Sequence, residues 1–193
     1  MTELKKIGVV GAGQMGNGIA HVCALAGYSV VLNDVSNEAL SKAGKTIEKN
    51  LQRQVSREFI TLDEMKAATS RIEYNSDLKS FEDVDLAIEA ATEKEMIKIQ
   101  IFESLVKAVP ANAWLASNTS SISITRLASS TDRPERFIGL HFMNPVPVMQ
   151  LIEVIRGLAT NQETYEMAIK LANRLDKTVA NAEDFPAFIV NRV

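Results

Sequence analysis

Histidine and cysteine are scarce in this chain: among 193 residues there are two of the first and one of the second. The lone Cys23 excludes an internal disulfide framework and is compatible with a reducing compartment, so the cytoplasm is the expected location. No metal site is expected. Long apolar runs are absent too: none approaches the roughly 18 to 20 residues that a membrane helix needs, so neither a span nor an anchor is expected. The opening "MTELKKIGVVGAG" turns glycine-rich too soon for the core of an export signal. A basic excess is also missing. With 21 Lys and Arg against 24 Asp and Glu, the formal net charge is -3, and nucleic acid is not an expected partner. What is there is an ordinary globular composition, 46% hydrophobic and 23% charged, long enough for one sizeable core or for one domain and a fragment of a second.

The hydrophobic pattern alternates between short strands and amphipathic helices. Lys6 to Val10 reads as a buried strand, and Gln14 to Ala26 as a helix with Ile19, Val22, Cys23 and Ala26 on one face, stopped by Gly27. "YSVVLND" is a second strand, and Asn37 to about Arg57 a longer helix opened by Ser36 as its cap. "DVDLAIEAA", "AWLASN" and "RFIGLHF" read as strands, separated by a helix from Glu93 to Val109 and a short helical stretch, "ISITRLASS". After "MNPVP" come the apolar run "VMQLIEVI", a helix from Thr164 to Leu175 and a last strand, "KTVANA". Such alternation implies an α/β domain built on a parallel sheet. The charge-rich segment from Leu51 to Ser70, with Thr61 as a cap, reads as a helical hairpin projecting from that domain.

"GVVGAGQMG" sets Gly11, Gly13 and Gly16 as G-x-G-x-x-G between a strand and a helix. In that context Gly11 permits the tight turn, Gly13 lets a pyrophosphate approach the backbone, and Gly16 lets helix and strand pack closely. The free N–H groups at Gln14, Met15 and the rest of the first helical turn then face phosphates. Asp34 closes the second strand, where a carboxylate accepts hydrogen bonds from ribose hydroxyls and repels a 2′-phosphate, which favours NAD over NADP. A turn of three glycines followed by an unrelated acid is the competing reading.

Ligands of open α/β sheets sit beyond the carboxyl ends of the strands, and two polar clusters fall there. In "SNTSS", Ser117 to Ser121, small hydroxyl and amide side chains follow a strand, and Ser120 or Ser121 could equally be a helix cap. His141 ends the strand "RFIGLH", and Pro145 and Pro147 cannot continue a ladder, so the imidazole is expected at the rim. His21, inside a helix pattern, reads as structural. Glu153 stands in the apolar "VMQLIEVI", where an unpaired buried carboxylate would be costly. Paired with His141, it would fix the imidazole tautomer and favour the imidazolium; an exposed glutamate on an edge strand is the alternative.

Together, "VVGAGQMGNGIA", "ASNTSS", "GLHFMNPVPVMQLIEVI" and "FPAFIVNR" resemble the L-3-hydroxyacyl-CoA dehydrogenase family, and the resemblance covers essentially the whole chain. It implies a Rossmann-like doubly wound sheet over residues 1–187, with a helical arm at about 48–70, and the start of a helical dimerisation domain at 188–193. It also implies reversible oxidation of an L-3-hydroxyacyl-CoA with NAD, with His141 as general base and Glu153 as its orienting partner. Ser120 and Asn144 match positions that hydrogen-bond the substrate oxygens, and Asn191 a further polar residue of that site. Glu93, Lys98 and Asn118 match positions near the nicotinamide. The arm would take the adenine and phosphates of CoA, with Arg53 and Arg57 one helical turn apart as candidates, a surface charge pair being the plainer reading.

The resemblance further implies a helical second domain beyond "IVNR", closing the substrate cleft and forming a homodimer. Without it, NAD binding is expected to survive, catalysis to be weak or absent, and Phe185 to Val193 to expose apolar surface. A dinucleotide-binding module without turnover is the alternative function, against which His141 and Glu153 together weigh. A related dehydrogenase relying on a lysine base in a second domain would not suit "HFMNPVP".

Overall fold

The computed structural model describes residues 4–185 and 188–190. Their eight strands form one sheet: β1 (Lys6–Val10), β2 (Ser29–Asn33), β3 (Ile72–Asn75), β4 (Leu86–Glu89), β5 (Trp114–Ser117), β6 (Phe137–Phe142), β7 (Leu151–Arg156) and β8 (Thr178–Glu183). The order across the sheet is β3-β2-β1-β4-β5-β6-β7-β8. β1 to β6 are parallel; β7 runs antiparallel to β6, and β8 parallel to β7. Six helices connect them: α1 (Gln14–Leu25), α2 (Asn37–Ser56), α3 (Leu62–Ser70), α4 (Glu95–Ala108), α5 (Ile124–Ser129) and α6 (Gln162–Arg174).

The central strands are apolar on both faces because helices cover both faces. Along β1, Ile7 and Val9 join one core with Ile19, Leu40 and Ala168 of α1, α2 and α6. Val10 joins the other core, with Phe102 of α4 and Leu127 of α5. There Phe102 meets Phe137 edge-on at 4.7 Å between ring centroids, a geometry that adds about 1 kcal/mol to the area both rings bury.

The hairpin of α2 and α3 is present, with Thr61 and Glu64 forming a reciprocal capping box. Rather than standing clear of the domain, it lies along α1: Ile47, Leu51 and Ala68 are buried, and Arg71 Nη1 donates to the Ala24 carbonyl. Phe59 and Leu62, at the tip, are exposed. β3 carries no apolar run and escapes a reading by pattern; as the sheet's edge it buries only Ile72. Among the described residues no helix is long and apolar enough to cross a membrane.

Candidate active site

The strand order reverses between β1 and β4, so the loops after these strands part and open a crevice. Gly11 turns the chain at φ +100°, and a Cβ there would lie 2.6 Å from the Ala91 Cα on the facing loop. At Gly16 a Cβ would fall 1.6 Å from the Gly11 carbonyl oxygen, so only glycine lets α1 start this close to β1. Gly13, the N-cap of α1, has nothing within 4 Å of its notional Cβ. No side chain caps the helix there, and its first turn holds no acid. The amides beside Gln14 and Met15 therefore stay available to an anion from the crevice.

Asp34 sits at the rim, its Oδ2 accepting from the Ala12 N–H at 2.8 Å and its Oδ1 from the Ser36 N–H at 2.9 Å. Each oxygen keeps capacity for a further donor. Beside it lies a cavity of about 700 Å³ whose walls include Val10, Val35, Ile97 and Ile101, apolar and wide enough for a flat heterocycle. These features fit a dinucleotide: an open amide turn for the phosphates, a carboxylate for ribose, an apolar slot beyond.

Across the crevice, the β6–β7 register sets His141 opposite Glu153. Directly opposed residues share a face, so the side chains meet. His141 Nδ1 lies 2.6 Å from Glu153 Oε2, and Glu153 is wholly buried. An exposed glutamate on an edge strand is thereby ruled out; β8 covers β7. A carboxylate only accepts, so Nδ1 carries the proton, leaving Nε2 for the cavity of about 410 Å³ that His141 lines with Met15, Glu93, Asn118, Ser120 and Asn144. The other carboxylate oxygen, Oε1, accepts from the N–H groups of Ile189 and Val190, both at 2.9 Å.

The third group gathers on Glu93, which stands in the loop before α4 rather than opening it. Its Oε1 accepts from Thr119 Oγ1 at 2.6 Å, from the Ser120 N–H and Oγ at 2.8 and 3.0 Å, and from Ser121 Oγ at 3.2 Å. Burial pushes this carboxyl up, but those donors and the nearby Lys98 outweigh it and hold it below the ordinary glutamate range. Lys98 is buried, with Nζ 2.6 Å from Glu89 Oε2 and 3.6 Å from Glu93 Oε2. Glu89 also accepts from Ser117 Oγ and the Ala91 N–H. Sequence reasoning missed Glu89, although an acid inside "LAIEAA" is the same signal as the acid inside "LIEVI".

The cap of α5 and the exposure of Phe188 differ from expectation. Neither Ser120 nor Ser121 caps α5; Ser123 does, accepting from the Arg126 N–H. Asp184, which drew no attention in the sequence, receives the Ile124 and Thr125 amides and Ser123 Oγ. Asn118 turns its Oδ1 to the Phe142 N–H, tying the ends of β5 and β6, and Asn144 Oδ1 accepts from Gln14 Nε2 at 3.0 Å. Arg53 is in the last turn of α2, but Arg57 lies just beyond it as the C-cap, and both are exposed. A groove along α2 is lined by Lys42, Thr46 and Asn50, facing Asn144 to Pro147. Phe185 and Ile189 are exposed as expected, whereas Phe188 is buried. Asn191 lies outside the described residues. Among those residues no group of three His, Cys, Asp or Glu could hold a metal ion.

The family described as 3-hydroxyacyl-CoA dehydrogenase, NAD binding domain, matches residues 6–185. A 3-hydroxybutyryl-CoA dehydrogenase of Bradyrhizobium diazoefficiens is 57% identical over 190 residues, which span 98% of this chain and 65% of that protein. A 3-hydroxyadipyl-CoA dehydrogenase of Escherichia coli is 40% identical over 193 residues, or 41% of its length. The crystal structure of (S)-3-hydroxybutyryl-CoA dehydrogenase from Ralstonia eutropha superposes with a TM-score of 0.96 at 42% identity, covering 99% of this chain and 68% of that one. The chain thus spans about two thirds or less of the length of these relatives.

Proposed function

We propose, from the premise that this chain belongs to the 3-hydroxyacyl-CoA dehydrogenase family as its NAD-binding domain, that it serves the reversible oxidation of an L-3-hydroxyacyl-CoA to the 3-ketoacyl-CoA. The observation that carries the reading is the His141–Glu153 pair on the wall of the cavity beside the glycine turn. A module that only bound a dinucleotide would need neither residue.

In this reading the substrate's 3-hydroxyl lies against His141 Nε2, which takes its proton. Bound NAD supplies the acceptor for the hydride that leaves the same carbon. Glu153, which accepts from His141 and two backbone amides, stabilises the imidazolium as it forms. Ser120 and Asn144 line the same cavity and hydrogen-bond the substrate oxygens. Glu93 and Lys98 present a fixed carboxylate and ammonium to the nicotinamide end, and Asn118 keeps the two strand ends in register. A positioned histidine base contributes typically about 100- to 10,000-fold.

NAD is favoured over NADP because Asp34 would face a 2′-phosphate with like charge. A four-carbon acyl group is the first choice from the relative at 57% identity, and the phosphates of CoA are assigned to the arm with Arg53 and Arg57. Asn191 is carried into the site on its motif alone. A cytoplasmic location, a boundary after residue 187 and a homodimer formed through a following helical domain belong to the same proposal.

The test is consumption of NADH on addition of acetoacetyl-CoA, with NADPH in parallel and His141→Gln beside the parent chain. Weak consumption of NADH, less still of NADPH, and a loss of about two to four orders of magnitude in the variant are expected. An undiminished rate in His141→Gln would remove the base from the mechanism. NADH bound without turnover in the parent chain would mean that the following helical domain completes the site, whereas no binding at all would undermine the reading at its glycine turn.

A further inference from the structure

Both hydrogen-bonding oxygens of Glu153 are engaged, and only one of them by the imidazole. Oε1 receives two successive backbone amides, Ile189 and Val190, each at 2.9 Å. They converge because the residue before them, Phe188, adopts φ +48°, the left-handed conformation that non-glycine residues seldom take. Successive N–H groups around such a residue make a concave anion-binding turn, and its occupant here is the protein's own carboxylate. The Phe188 ring is buried with its centroid 6.1 Å from that of His141, so the same residue supplies the turn and a wall beside the imidazole.

We infer that the turn at Phe188–Val190 is a positioning element of the reaction: its two amides hold the Glu153 carboxylate, and through it fix His141 with the proton on Nδ1 and Nε2 free. A carboxylate gripped on one oxygen has a single rotamer in which the other meets Nδ1. Released, it can turn away, and an imidazole without its acceptor reverts toward the Nε2–H tautomer, which cannot take a proton at the cavity. The inference rests on the proposed role of His141, but its consequence for the ring is visible without turnover.

The geometry offers a test in which conformation and packing pull in opposite directions. Phe188→Gly deletes the ring but adopts a positive φ at no steric cost. Phe188→Val keeps apolar bulk, yet a β-branched side chain resists that conformation, so the amides leave Glu153. The readout is the ¹⁵N spectrum of the two imidazoles at neutral pH, with His21 as the internal standard. In the parent chain and in Phe188→Gly the His141 signals should be those of a ring protonated at Nδ1. In Phe188→Val they should shift toward Nε2–H by at least tenfold in population, with His21 unchanged. Hydrogen exchange at the Ile189 and Val190 amides should quicken tenfold or more in Glu153→Leu, which keeps the bulk but removes the acceptor, and stay near the parent rate in His141→Gln.

If Phe188→Gly disturbs the tautomer as much as or more than Phe188→Val, the ring packs and the turn does not position, and the inference falls. It falls equally if the two amides exchange at the parent rate in Glu153→Leu. Where the tautomer follows the turn but NADH consumption does not follow the tautomer, the clamp stands and the role of His141 as base fails. Should Phe188→Val not fold, the amide exchange in Glu153→Leu decides alone.

Discussion

Gly13 and Gly16 are three positions apart in the same motif, yet the structure gives them different work, and replacing each by alanine separates the two. At Gly16 the added Cβ would stand 1.6 Å from the Gly11 carbonyl oxygen, about 1.8 Å short of ordinary contact. Backbone is on both sides, so α1 or the turn must move, and overpacking of this kind costs roughly 1–3 kcal/mol. For a chain of this size that lowers Tm by about 2–10 °C. At Gly13 the Cβ meets no protein atom, and φ -67° with ψ -167° is open to any residue. Ala is a poorer N-cap than Gly by several tenths of a kcal/mol, and the stiffer unfolded chain returns about as much, so Gly13→Ala should keep its Tm within ~2 °C. Its Cβ, however, enters the space assigned to the pyrophosphate. The assay is thermal unfolding with and without NADH at a hundred times the parent Kd, where binding adds about 2.7 kcal/mol and raises Tm by roughly 5–10 °C. Gly13→Ala should show an unchanged baseline and no NADH response. A full response in Gly13→Ala would refute the placement of the phosphates at this turn.

The remaining expectations concern charge. Lys98→Met strands the buried Glu89 carboxylate and should cost about 3–5 kcal/mol in urea unfolding, most of it recovered in the Glu89→Gln/Lys98→Met pair; equal losses in single and double variants would show that the ion pair is not the cause. Asp34→Ser should raise the apparent affinity for NADPH relative to NADH by at least about tenfold, since a like charge near a phosphate is worth roughly 1–4 kcal/mol; an unchanged ratio would remove Asp34 from cofactor choice. Burial, reinforced by Lys177 and opposed by the Gln54 hydrogen bond, lowers the His21 pKa from its ordinary 6.5. The unfolded chain therefore takes up a proton first, and stability drains as pH falls through about 6.5 toward the lower folded value, at up to about 1.4 kcal/mol per pH unit. His21→Gln should lack that slope, so a stability difference between the two proteins that stays constant from pH 7.5 to 5 would sink the argument.

How much of this was legible depends on what each feature needs from its surroundings. The glycine turn and Asp34 are local, set by one strand–turn–helix unit, and spacing alone places them. His141 and Glu153 are twelve positions apart, but they flank a turn between two apolar runs, and a costly acid in such a run points to a nearby partner. Glu89 carried the same signal inside β4, yet its partner is an outward-looking lysine on α4 by pattern, and only the fold turns Lys98 inward. Ser123 was hidden among four hydroxyl residues because a cap is defined by where the helix starts, which a β-branched, serine-rich run does not specify. The grip of Ile189 and Val190 on Glu153 had no sequence signal at all, since backbone amides are the same in every residue.

The placement of buried charge makes the strongest argument that this edge of the sheet is the working one. Glu89 and Glu153 are the fully buried carboxylates among the described residues, and each lies beside the carboxyl end of a parallel strand. Each is satisfied by three donors: Lys98, Ser117 Oγ and the Ala91 amide for Glu89; His141 and the Ile189 and Val190 amides for Glu153. Arg133 shows what a buried ion does elsewhere in this fold, its guanidinium donating to the Val106 and Pro110 carbonyls at the end of α4 and pairing with the exposed Asp132. That arrangement closes a helix end and needs no further purpose. Apolar replacements of buried ion pairs are often neutral or stabilising, so stability alone does not account for two desolvated carboxylates on the same rim. Their shared property is that each fixes a group facing the same cavity, Lys98 on one wall and His141 on the other. A fold that needed only to stand up would have had leucine at both positions.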